Sequence, residues 1–329
     1  MPKDTAAVII GRNEGDRLEN CLRSVTAELD CLVYVDSGSN DDSVAKARAM
    51  GVDVLQLDSQ RPFSAARARN EGAQRIRARA PHIEYIQFID GDCELRSGWI
   101  SAAHRAFTLR PDVAIVAGRL RERSPRTSVY NRLCDIEWNT PTGETTSCGG
   151  IAMVRAVPFF HCNGFTETMI SGEEPELCFR LRNAGWKILR LQDDMAIHDA
   201  GMHKFSQWWR RCVRSGHGYA EGRHLLGDVS EERFWVHETR SIGLWGAVLP
   251  AVTLSATFVS AWAVAACLGL YALLLARIFR SMRKRDFTPA DSALYAAFIA
   301  LSKFPQAMGA LQYHVRRIRQ RPRHPIEYK

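Results

Sequence analysis

The stretch YIQFIDGDCEL, residues 85–95, decides how the fold of this chain is interpreted. An apolar run leads to Asp90, and a second acid, Asp92, follows after a single glycine. Burying a charge is costly unless it is paired, so a core strand gains nothing from two carboxylates at its end. In an open parallel sheet, ligands bind beside the carboxyl ends of the strands. The two acids therefore mark this strand end as a candidate ligand site.

Similar apolar runs alternate with helical patterns through the first half of the chain. Strands are predicted at AAVIIG (6–11), CLVYVDSG (31–38), VDVLQLD (52–58), YIQFID (85–90), VAIVAGRL (113–120) and GGIAMVR (149–155), with helices over 16–29, 42–50 and 64–79. Alternation of this kind predicts an α/β fold with a Rossmann-like, mostly parallel sheet and helices on both faces.

Composition and charge narrow the class of protein. The 329 residues carry a net charge of +8, and basic clusters lie at 277–285 and 314–324. Such clusters suit an anionic membrane face or a nucleic acid. Because these flank a hydrophobic run instead of accompanying stacking aromatics, we expect no nucleic-acid partner.

The cysteines and the N-terminal sequence indicate in which cellular compartment the first domain lies. The nine cysteines are odd in number and contain no CxxC pair, which argues against a disulfide framework or a zinc site and for a reducing compartment. The N-terminal MPKDTAAVII lacks the shape of a signal peptide, so we expect the first domain to stay in the cytosol.

Residues 241–276 form a run of 36 residues without a charge. One membrane-spanning helix needs only ~20 residues, and a soluble core helix rarely lacks a polar face for so long. Basic residues at both ends favour two cytoplasmic flanks, hence a hairpin of two short spans turning near Ser260; one long tilted span is the weaker alternative. Residues 290–311 are apolar but interrupted by Lys303 and Pro305, which suggests an interfacial or partly inserted helix.

Several acids are candidates for chemistry. Asp36, Asp90 and Asp92 follow predicted strands, and acids gathered at one sheet edge repel one another unless a cation or a donor-rich ligand lies between them. A hard divalent ion would fit, although DG is also a common turn pair. Glu173 and Glu174 stand where a helix begins, either as partners of the helix dipole or as a general base.

Other enzyme and non-enzyme classes remain as alternatives. IIGRNEG (9–15) lacks the GxGxxG spacing of dinucleotide-binding dehydrogenases. A nucleotidyltransferase would be expected to show a Gly-rich phosphate loop after the first strand, which is absent here. A catalytically inactive sugar- or nucleotide-binding membrane adaptor is the non-enzymatic alternative, and the intact set of acids counts against it.

The ordered set VIIGRNEG, VYVDSGSNDDS, ARNEGA, FIDGDCEL, GG, NGF and GEEPELCFRLRNAGW resembles family 2 of the nucleotide-sugar glycosyltransferases, which have the GT-A fold. The resemblance covers roughly residues 5–220. It implies an inverting transferase that uses a nucleoside-diphosphate sugar and Mg²⁺ or Mn²⁺.

The resemblance also implies roles for individual residues. On the donor side it places Asn13, Glu14, Asp36, Arg69, Asn70, Asp90, Gln207 and Arg210, with Asp36 contacting the nucleoside. Asp90 and Asp92 match the metal-binding DxD, and His198 matches a position where relatives often place a metal ligand, although a lone His is equally often a satisfied polar residue. Glu174 matches the catalytic base and Glu173 its neighbour; the family's pair is Glu-Asp, so the second acid here is one methylene longer.

Gln207 and Arg210 have the spacing of a QxxRW motif seen in membrane-bound synthases, but Arg211 stands in place of the Trp. This departure argues against processive polymer synthesis. We predict a catalytic domain over residues 1–204, amphipathic interface helices over 205–240, and a membrane hairpin, interfacial helix and basic tail over 241–329. The expected location is the inner or plasma membrane with a cytoplasmic catalytic domain, and the expected acceptor is lipid-linked or a saccharide.

Overall fold

The computed structural model describes residues 2–227 and 232–319, and these residues separate into two compact units. The first unit comprises residues 2–126, 137–168 and 173–201, and the second comprises 127–136, 169–172 and the described residues from Met202 onward. The predicted division at residue 204 remains a prediction.

The first unit is built on one nine-stranded sheet. Its strands are β1 Thr5–Gly11, β2 Cys31–Asp36, β3 Asp53–Gln56, β4 Tyr85–Asp90, β5 Cys93–Leu95, β6 Val113–Glu122, β7 Gly143–Thr145, β8 Ala152–Arg155 and β9 Lys187–His198. The order across the sheet is β3-β2-β1-β4-β8-β6-β9-β5, and β7 pairs with β9. All six strands predicted from the sequence are present.

Helices cover both faces of this sheet, which confirms the predicted α/β class. They are α1 Asp16–Thr26, α2 Ser43–Ala49, α3 Ala65–Arg79, α4 Trp99–Leu109, α6 Ala156–His161 and α7 Glu173–Asn183; α5, Val129–Trp138, lies mainly in the second unit. One core cluster includes α3 and α7 residues such as Ile76 and Leu177, and the other includes α1 and α4 residues such as Leu22 and Phe107.

The sheet contains the predicted parallel strands and, beside them, antiparallel ones. β3, β2, β1 and β4 are parallel neighbours, whereas β8 runs antiparallel to both β4 and β6. After β6 the chain passes through α5 and β7, and β8 then pairs through Met153 and Val154 with Val116 and Ile115 of β6. A periodicity of apolar residues does not encode strand direction.

Helix α3 is held close to the sheet, and this positions its arginine and asparagine. Ser64 caps its start by accepting a hydrogen bond from the backbone N–H of Arg67 at 3.1 Å. A Cβ on Gly72 would lie 2.5 Å from a methyl of Val8 and 2.9 Å from one of Val35. Glycine at this position therefore lets the helix backbone lie against β1 and β2.

The second unit is helical. It contains α8 Phe205–Leu226, α9 Val236–Gly243, a π-helical segment Leu244–Val248, α10 Leu249–Ala256, α11 Ala261–Arg283 and α12 Pro289–Ile318. Glycines allow α8 and α12 to approach closely: a Cβ on Gly309 would lie 1.9 Å from the carbonyl oxygen of Val213, and one on Gly216 would lie 2.0 Å from that of Gln306.

Helix α12 contains the helix that the sequence predicted over 290–311. It is continuous over 30 residues and carries Pro305 in its interior. Packing against α8 explains this continuity, because tertiary contacts offset the hydrogen bond that proline cannot donate. Its predicted placement at a membrane interface remains a prediction.

The uncharged run folds as two helical arms joined by a turn. The first arm ends at Ala256. Ser260 then caps the start of α11, where its hydroxyl accepts a hydrogen bond from the backbone N–H of Trp262 at 3.1 Å. The hydroxyl of Tyr271 donates to the carbonyl of Trp245 at 2.7 Å, so the two arms lie side by side. Among the described residues, one helix, Ala261–Arg283, is long and apolar enough to cross a membrane.

Candidate active site

The candidate site lies at the carboxyl edge of the parallel strands. In the sheet register Asp36 pairs with Gly11 and Asp90 pairs with Ile10, so β1 separates the ends of β2 and β4. Two of the predicted acids thus come to one edge, as the sequence indicated.

Asp36 shapes the loop that follows β2. It is fully buried, and its carboxylate accepts hydrogen bonds from the backbone N–H groups of Gly38 (3.0 Å) and Ser39 (2.9 Å), from the Tyr34 hydroxyl (3.1 Å) and from the Ser39 hydroxyl. Gly38 has a φ of +79°, which glycine adopts without strain. Asp36 therefore holds the loop at Gly38 and Ser39 in place at the carboxyl edge of the sheet. Its predicted contact with a nucleoside remains a prediction.

Asn13 and Glu14 line the turn after β1. The backbone N–H of Asn13 donates to the Ser39 hydroxyl and its side-chain oxygen accepts from the N–H of Asn40, both at 2.9 Å. Glu14 is nearly buried and pairs with Arg17 at 2.7 Å. Asn13 thus connects the first two loops of the edge.

Arg69 joins two predicted site acids. Its guanidinium contacts Asp90 at 2.9 Å and Glu173 at 3.0 Å, while its side chain is only 4% exposed. Burial opposes the charge, but the two carboxylates outweigh it and raise the pKa of Arg69. A Cβ on Gly150 would lie 2.7 Å from this guanidinium, so the predicted GG pair leaves room for it.

Asn70 supports the site from behind. Its side chain donates to the carbonyl of Phe165 and accepts from the N–H of Phe165, both at 2.8 Å, and it donates to Glu167 at 3.2 Å. These bonds hold the NGF turn, in which Gly164 has a φ of +64°. The structure gives Asn70 this positioning role, and its predicted donor contact remains untested.

Asp92 and His198 come together across the sheet. Pairing of β5 with β9 sets Cys93 opposite His198, and Asp92 Oδ1 lies 3.3 Å from His198 Nε2. The His198 ring stacks on Trp138 at 4.6 Å between centroids. Within the described residues, His198 Nδ1 is buried without a hydrogen-bond partner. Asp92, Cys93 and His198 place their donor atoms within 4.8 Å of one another, a set of ligands that fits a divalent transition-metal ion.

The two acids of the Asp90-Gly91-Asp92 sequence therefore have different neighbours. Asp92 faces His198, while Asp90, whose side chain is 30% exposed, faces Arg69. The turn at Gly91, whose N–H donates to Ile10, separates them.

Glu174 has hydrogen-bond partners that the sequence did not reveal. Its Oε1 accepts from the backbone N–H of Cys148 at 2.6 Å and from the thiols of Cys148 and Cys178 at 3.1 Å each. Burial raises the pKa of Cys178 to about 11, and the hydrogen bond with Cys178 raises that of Cys148 well above its usual range. Both thiols are thus protonated donors at neutral pH.

The hydrogen bonds to the Glu174 carboxylate go to one of its two oxygens. Among the described residues, every hydrogen bond to this carboxylate goes to Oε1.

Glu122 is a further buried acid that the sequence did not single out; it accepts from the N–H groups of Ser124 (3.0 Å) and Ala200 (2.9 Å). An acid three positions before a turn gives no sequence pattern from which these buried hydrogen bonds could have been predicted.

Gln207 and Arg210 belong to the second unit. Gln207 Oε1 accepts from the N–H groups of His203 and Lys204 at 2.9 Å, which caps the start of α8. Arg210 is exposed on that helix. Their predicted donor contacts remain predictions.

Comparison with known proteins agrees with this arrangement. Residues 6–159 match the family described as glycosyl transferase family 2. The matched segment therefore resembles a family 2 glycosyltransferase domain over slightly less than half of the chain. The match covers the strands that end at Asp36 and Asp90 and the turn that carries Asp92, and the predicted resemblance to this family is confirmed.

Two curated relatives, both called pre-mycofactocin glycosyltransferase, come from Mycobacterium tuberculosis strains CDC 1551 / Oshkosh and ATCC 25618 / H37Rv. Each is 28% identical to this chain over 213 residues. The alignment covers 60% of this chain and 43% of the relative, so the chain spans less than half the length of the curated relatives it matches.

Solved structures share the GT-A fold. The mannosyltransferase PcManGT from Pyrobaculum calidifontis, in complex with GDP-Man and Mn²⁺, has a TM-score of 0.65 at 16% identity, covering 94% of this chain and 87% of that chain. S. aureus TarS 1–349 has a TM-score of 0.50 at 12% identity, covering 94% and 92%. At these identities the likeness shows the fold alone.

Proposed function

We propose that this protein transfers a sugar from a nucleoside-diphosphate sugar to a saccharide or lipid-linked acceptor, with inversion at the anomeric carbon. The observation that carries the proposal is the grouping at one sheet edge of Asp90, Arg69 and Glu173, linked by contacts of 2.9 and 3.0 Å, within a family 2 domain. An arginine held between two carboxylates is fixed in position beside the DxD, where the donor diphosphate is expected.

Asp92 and His198 would hold a divalent ion, Mg²⁺ or Mn²⁺. Such an ion, when bound, stabilises the negative charge that develops on a departing diphosphate. The two side chains fit this role because their facing atoms are 3.3 Å apart and stacking on Trp138 fixes the imidazole plane. The relative from Pyrobaculum holds GDP-Man and Mn²⁺, which supports a nucleotide-sugar donor and a metal here.

Glu174 acts as the general base in this proposal. It removes the proton of the acceptor hydroxyl, the hydroxyl oxygen attacks the anomeric carbon, and the bond from that carbon to the diphosphate breaks with both electrons leaving on oxygen. Hydrogen bonds from Cys148 and Cys178 to Oε1 orient the carboxylate, so Oε2 can meet the acceptor. A single displacement of this kind inverts the anomeric configuration.

A donor screen tests the proposal. The purified chain would be incubated with Mn²⁺ or Mg²⁺ and a panel of nucleotide sugars that includes GDP-mannose and UDP-glucose, and released nucleoside diphosphate would be measured with and without simple sugar and lipid-phosphate acceptors. We expect metal-dependent release with one donor, and an anomeric configuration in the product opposite to that of the donor, measured by NMR. Donor binding without turnover for every acceptor would instead favour the inactive adaptor.

We also propose that the second unit holds the enzyme on a membrane, with the catalytic domain on the cytoplasmic side where nucleotide sugars are made. Support comes from α11, which is long and apolar enough to span, and from the exposed Phe258, Val259 and Trp262 at the turn between the two arms. A soluble unit would rarely expose such large apolar side chains together.

A further inference from the structure

Two cysteines that are 30 residues apart in the chain meet beside Glu174. The Sγ atoms of Cys148 and Cys178 are 3.7 Å apart, and each lies 3.1 Å from Glu174 Oε1. The three donor atoms form a compact triangle within 4.8 Å. The scattered positions of the cysteines in the sequence argued against a zinc site, but the fold assembles this group from a loop and a helix.

The size of this triangle matches the faces of a tetrahedral zinc site. With Zn–S bonds of ~2.3 Å and Zn–O bonds of ~2.0–2.2 Å, tetrahedral angles put two sulfurs ~3.8 Å apart and a sulfur and an oxygen ~3.5 Å apart. The observed Sγ–Sγ distance of 3.7 Å agrees with the first value. The sulfur–oxygen edges need to open by only about half an ångström, which small side-chain rotations provide.

The three ligands are held in place before any ion arrives. Glu174 and Cys178 lie one turn apart on α7, so their side chains share one face of the helix. The N–H of Cys148 donates to Glu174 Oε1 at 2.6 Å, which fixes the loop against that face. Preorganisation of this kind lowers the entropy cost of binding a ligand.

The group also offers a route of entry. Cys178 is fully buried and Glu174 is 8% exposed, whereas Cys148 is partly exposed in a loop whose next residue, Gly149, has a φ of +87°. An ion can therefore approach from the Cys148 side and keep a water as its fourth ligand, which leaves a three-ligand open site.

We propose that Cys148, Cys178 and Glu174 form a zinc-binding site distinct from the Asp92–His198 group. Binding one Zn²⁺ releases the two thiol protons to solvent and needs no oxidant or reductant. Two thiolates select a soft ion such as Zn²⁺ over Mg²⁺ or Mn²⁺, which prefer oxygen ligands. Because a bound ion would occupy the carboxylate of Glu174, zinc would inhibit sugar transfer; this consequence rests on the proposed function, whereas binding itself does not.

A cobalt titration of the full-length chain tests the binding. Co²⁺ would be added to metal-free, reduced protein under anaerobic conditions, and thiolate-to-cobalt charge-transfer absorption would be followed until Zn²⁺ displaces the cobalt. We expect saturation at one ion per chain. Cys148→Ser and Cys178→Ser keep a hydrogen-bond donor near Glu174 but each remove a thiolate, so the band should fall and zinc affinity should drop by at least ~10²-fold, beyond the ~10–100-fold cost of losing an outer-shell partner.

Matched variants separate this site from its alternatives. Cys31→Ser removes a partly exposed cysteine on β2, and Cys93→Ser removes the thiol of the Asp92 group; both should keep the band. A band lost in Cys93→Ser but kept in Cys148→Ser and Cys178→Ser would overturn the proposal, as would a Cys148–Cys178 disulfide persisting in reductant. Circular dichroism confirms that each variant is folded. Once a donor is known, zinc should inhibit the wild type at a concentration at least ~10²-fold lower than it inhibits Cys148→Ser; equal sensitivity would refute the link to Glu174 while leaving the binding result intact.

Discussion

Asp92 and Asp90 are separated by one residue, but Asp92 contacts His198 whereas Asp90 contacts Arg69. Replacing Asp92 should therefore affect metal dependence. Asp92→Asn removes a negative charge beside His198, so we expect the concentration of Mn²⁺ needed for half-maximal activity to rise and kcat/KM to fall by ~10²-fold or more, since a bound metal contributes several kcal/mol. The measurement is initial rate against metal concentration. Asp194→Asn, on the strand β9 that also carries His198 but 40% exposed, is the matched control and should behave as wild type. An unchanged metal dependence in Asp92→Asn would refute the metal role.

Glu173 and Glu174 have different neighbours, so the glutamine variants of the two residues should have different kinetic effects. Glu174→Gln keeps an oxygen for the Cys148 N–H but cannot take a proton, and kcat should fall by ~10²–10⁴-fold with little change in donor affinity. Glu173→Gln loses its ion pair with Arg69, so its main effect should be on donor KM. Steady-state rates and donor binding by calorimetry separate the two. If Glu173→Gln is the inactive variant with intact donor binding, the roles are exchanged.

Among single residues, the acids were predictable and their partners were not. Asp36 and Asp90 could be placed at one edge because an apolar run ending in an acid indicates a strand end. The approach of His198 to Asp92 depends on β5 pairing with β9, about a hundred residues away along the chain, and no local pattern encodes that pairing. The contact of Cys148 with Glu174 depends likewise on an irregular loop, whose path periodicity does not describe.

At the scale of elements, the positions of strands and helices could be predicted from the spacing of apolar residues. The directions of the strands and the continuity of the helices depend on packing. Neighbouring elements set the antiparallel direction of β8 and the continuity of α12 past Pro305, and apolar spacing encodes neither of them. The short strands β5 and β7, of three residues each, are too brief to show a period.

The contact of α8 with α12 depends on glycines, which gives a stability prediction. Gly309→Ala would place a methyl within 1.9 Å of the Val213 carbonyl, so the helices must separate. We expect a loss of ~1–3 kcal/mol from overpacking, larger than the ~1 kcal/mol that alanine gains in helix propensity. Thermal unfolding in detergent measures it. Gly243→Ala on α9, where no atom lies within 4 Å of the added carbon, should be neutral or stabilising. An equal melting temperature for both variants would contradict the close approach.

Helices α5 and α12 are joined by an ion pair whose strength should vary with pH. Arg132 donates to both oxygens of Asp291, at 2.8 and 2.7 Å, and these hydrogen bonds lower the pKa of Asp291. A lowered folded pKa means that the pair stabilises the fold above the unfolded value of ~4 and that this contribution disappears as the pH falls through the lower folded value. Asp291→Asn should cost ~1–2 kcal/mol at neutral pH, and much less in acid.

Melting temperatures of wild type and Asp291→Asn from neutral to acid pH test this sign. The two curves should converge as the pH falls below ~4. Asp286→Asn changes an exposed acid just before the same helix and should parallel the wild type throughout. A gap between wild type and Asp291→Asn that is constant with pH would show that the charge of Asp291 does not matter.

At the scale of the whole molecule, the two units suggest different environments. The first has a core on each face of a sheet, as in a soluble enzyme, while the second exposes Phe258 (88%), Val259 (79%) and Trp262 (86%) at one turn. Exposed apolar side chains gathered at the end of two side-by-side helical arms suit insertion into lipid, and basic residues such as Arg240 and Arg283 suit anionic headgroups.

The topology of this hairpin is the last prediction. Helix α11 has 23 residues and is therefore ~35 Å long, enough to cross a ~30 Å hydrocarbon core with little tilt. If both arms cross, the turn at Val259 reaches the far side while both basic flanks stay in the cytoplasm. Single cysteines at His237, Val259 and Arg319 in a cysteine-free background would report this through a membrane-impermeant thiol reagent. We expect labelling of position 259 alone in intact cells, and of all three positions after permeabilisation. Labelling of only one flank, 237 or 319, in intact cells would mean a single crossing. Protection of all three would mean that the turn does not reach the far interface and that the unit binds from one side, because an arm that stops within the hydrocarbon leaves its tip out of reach of a polar reagent.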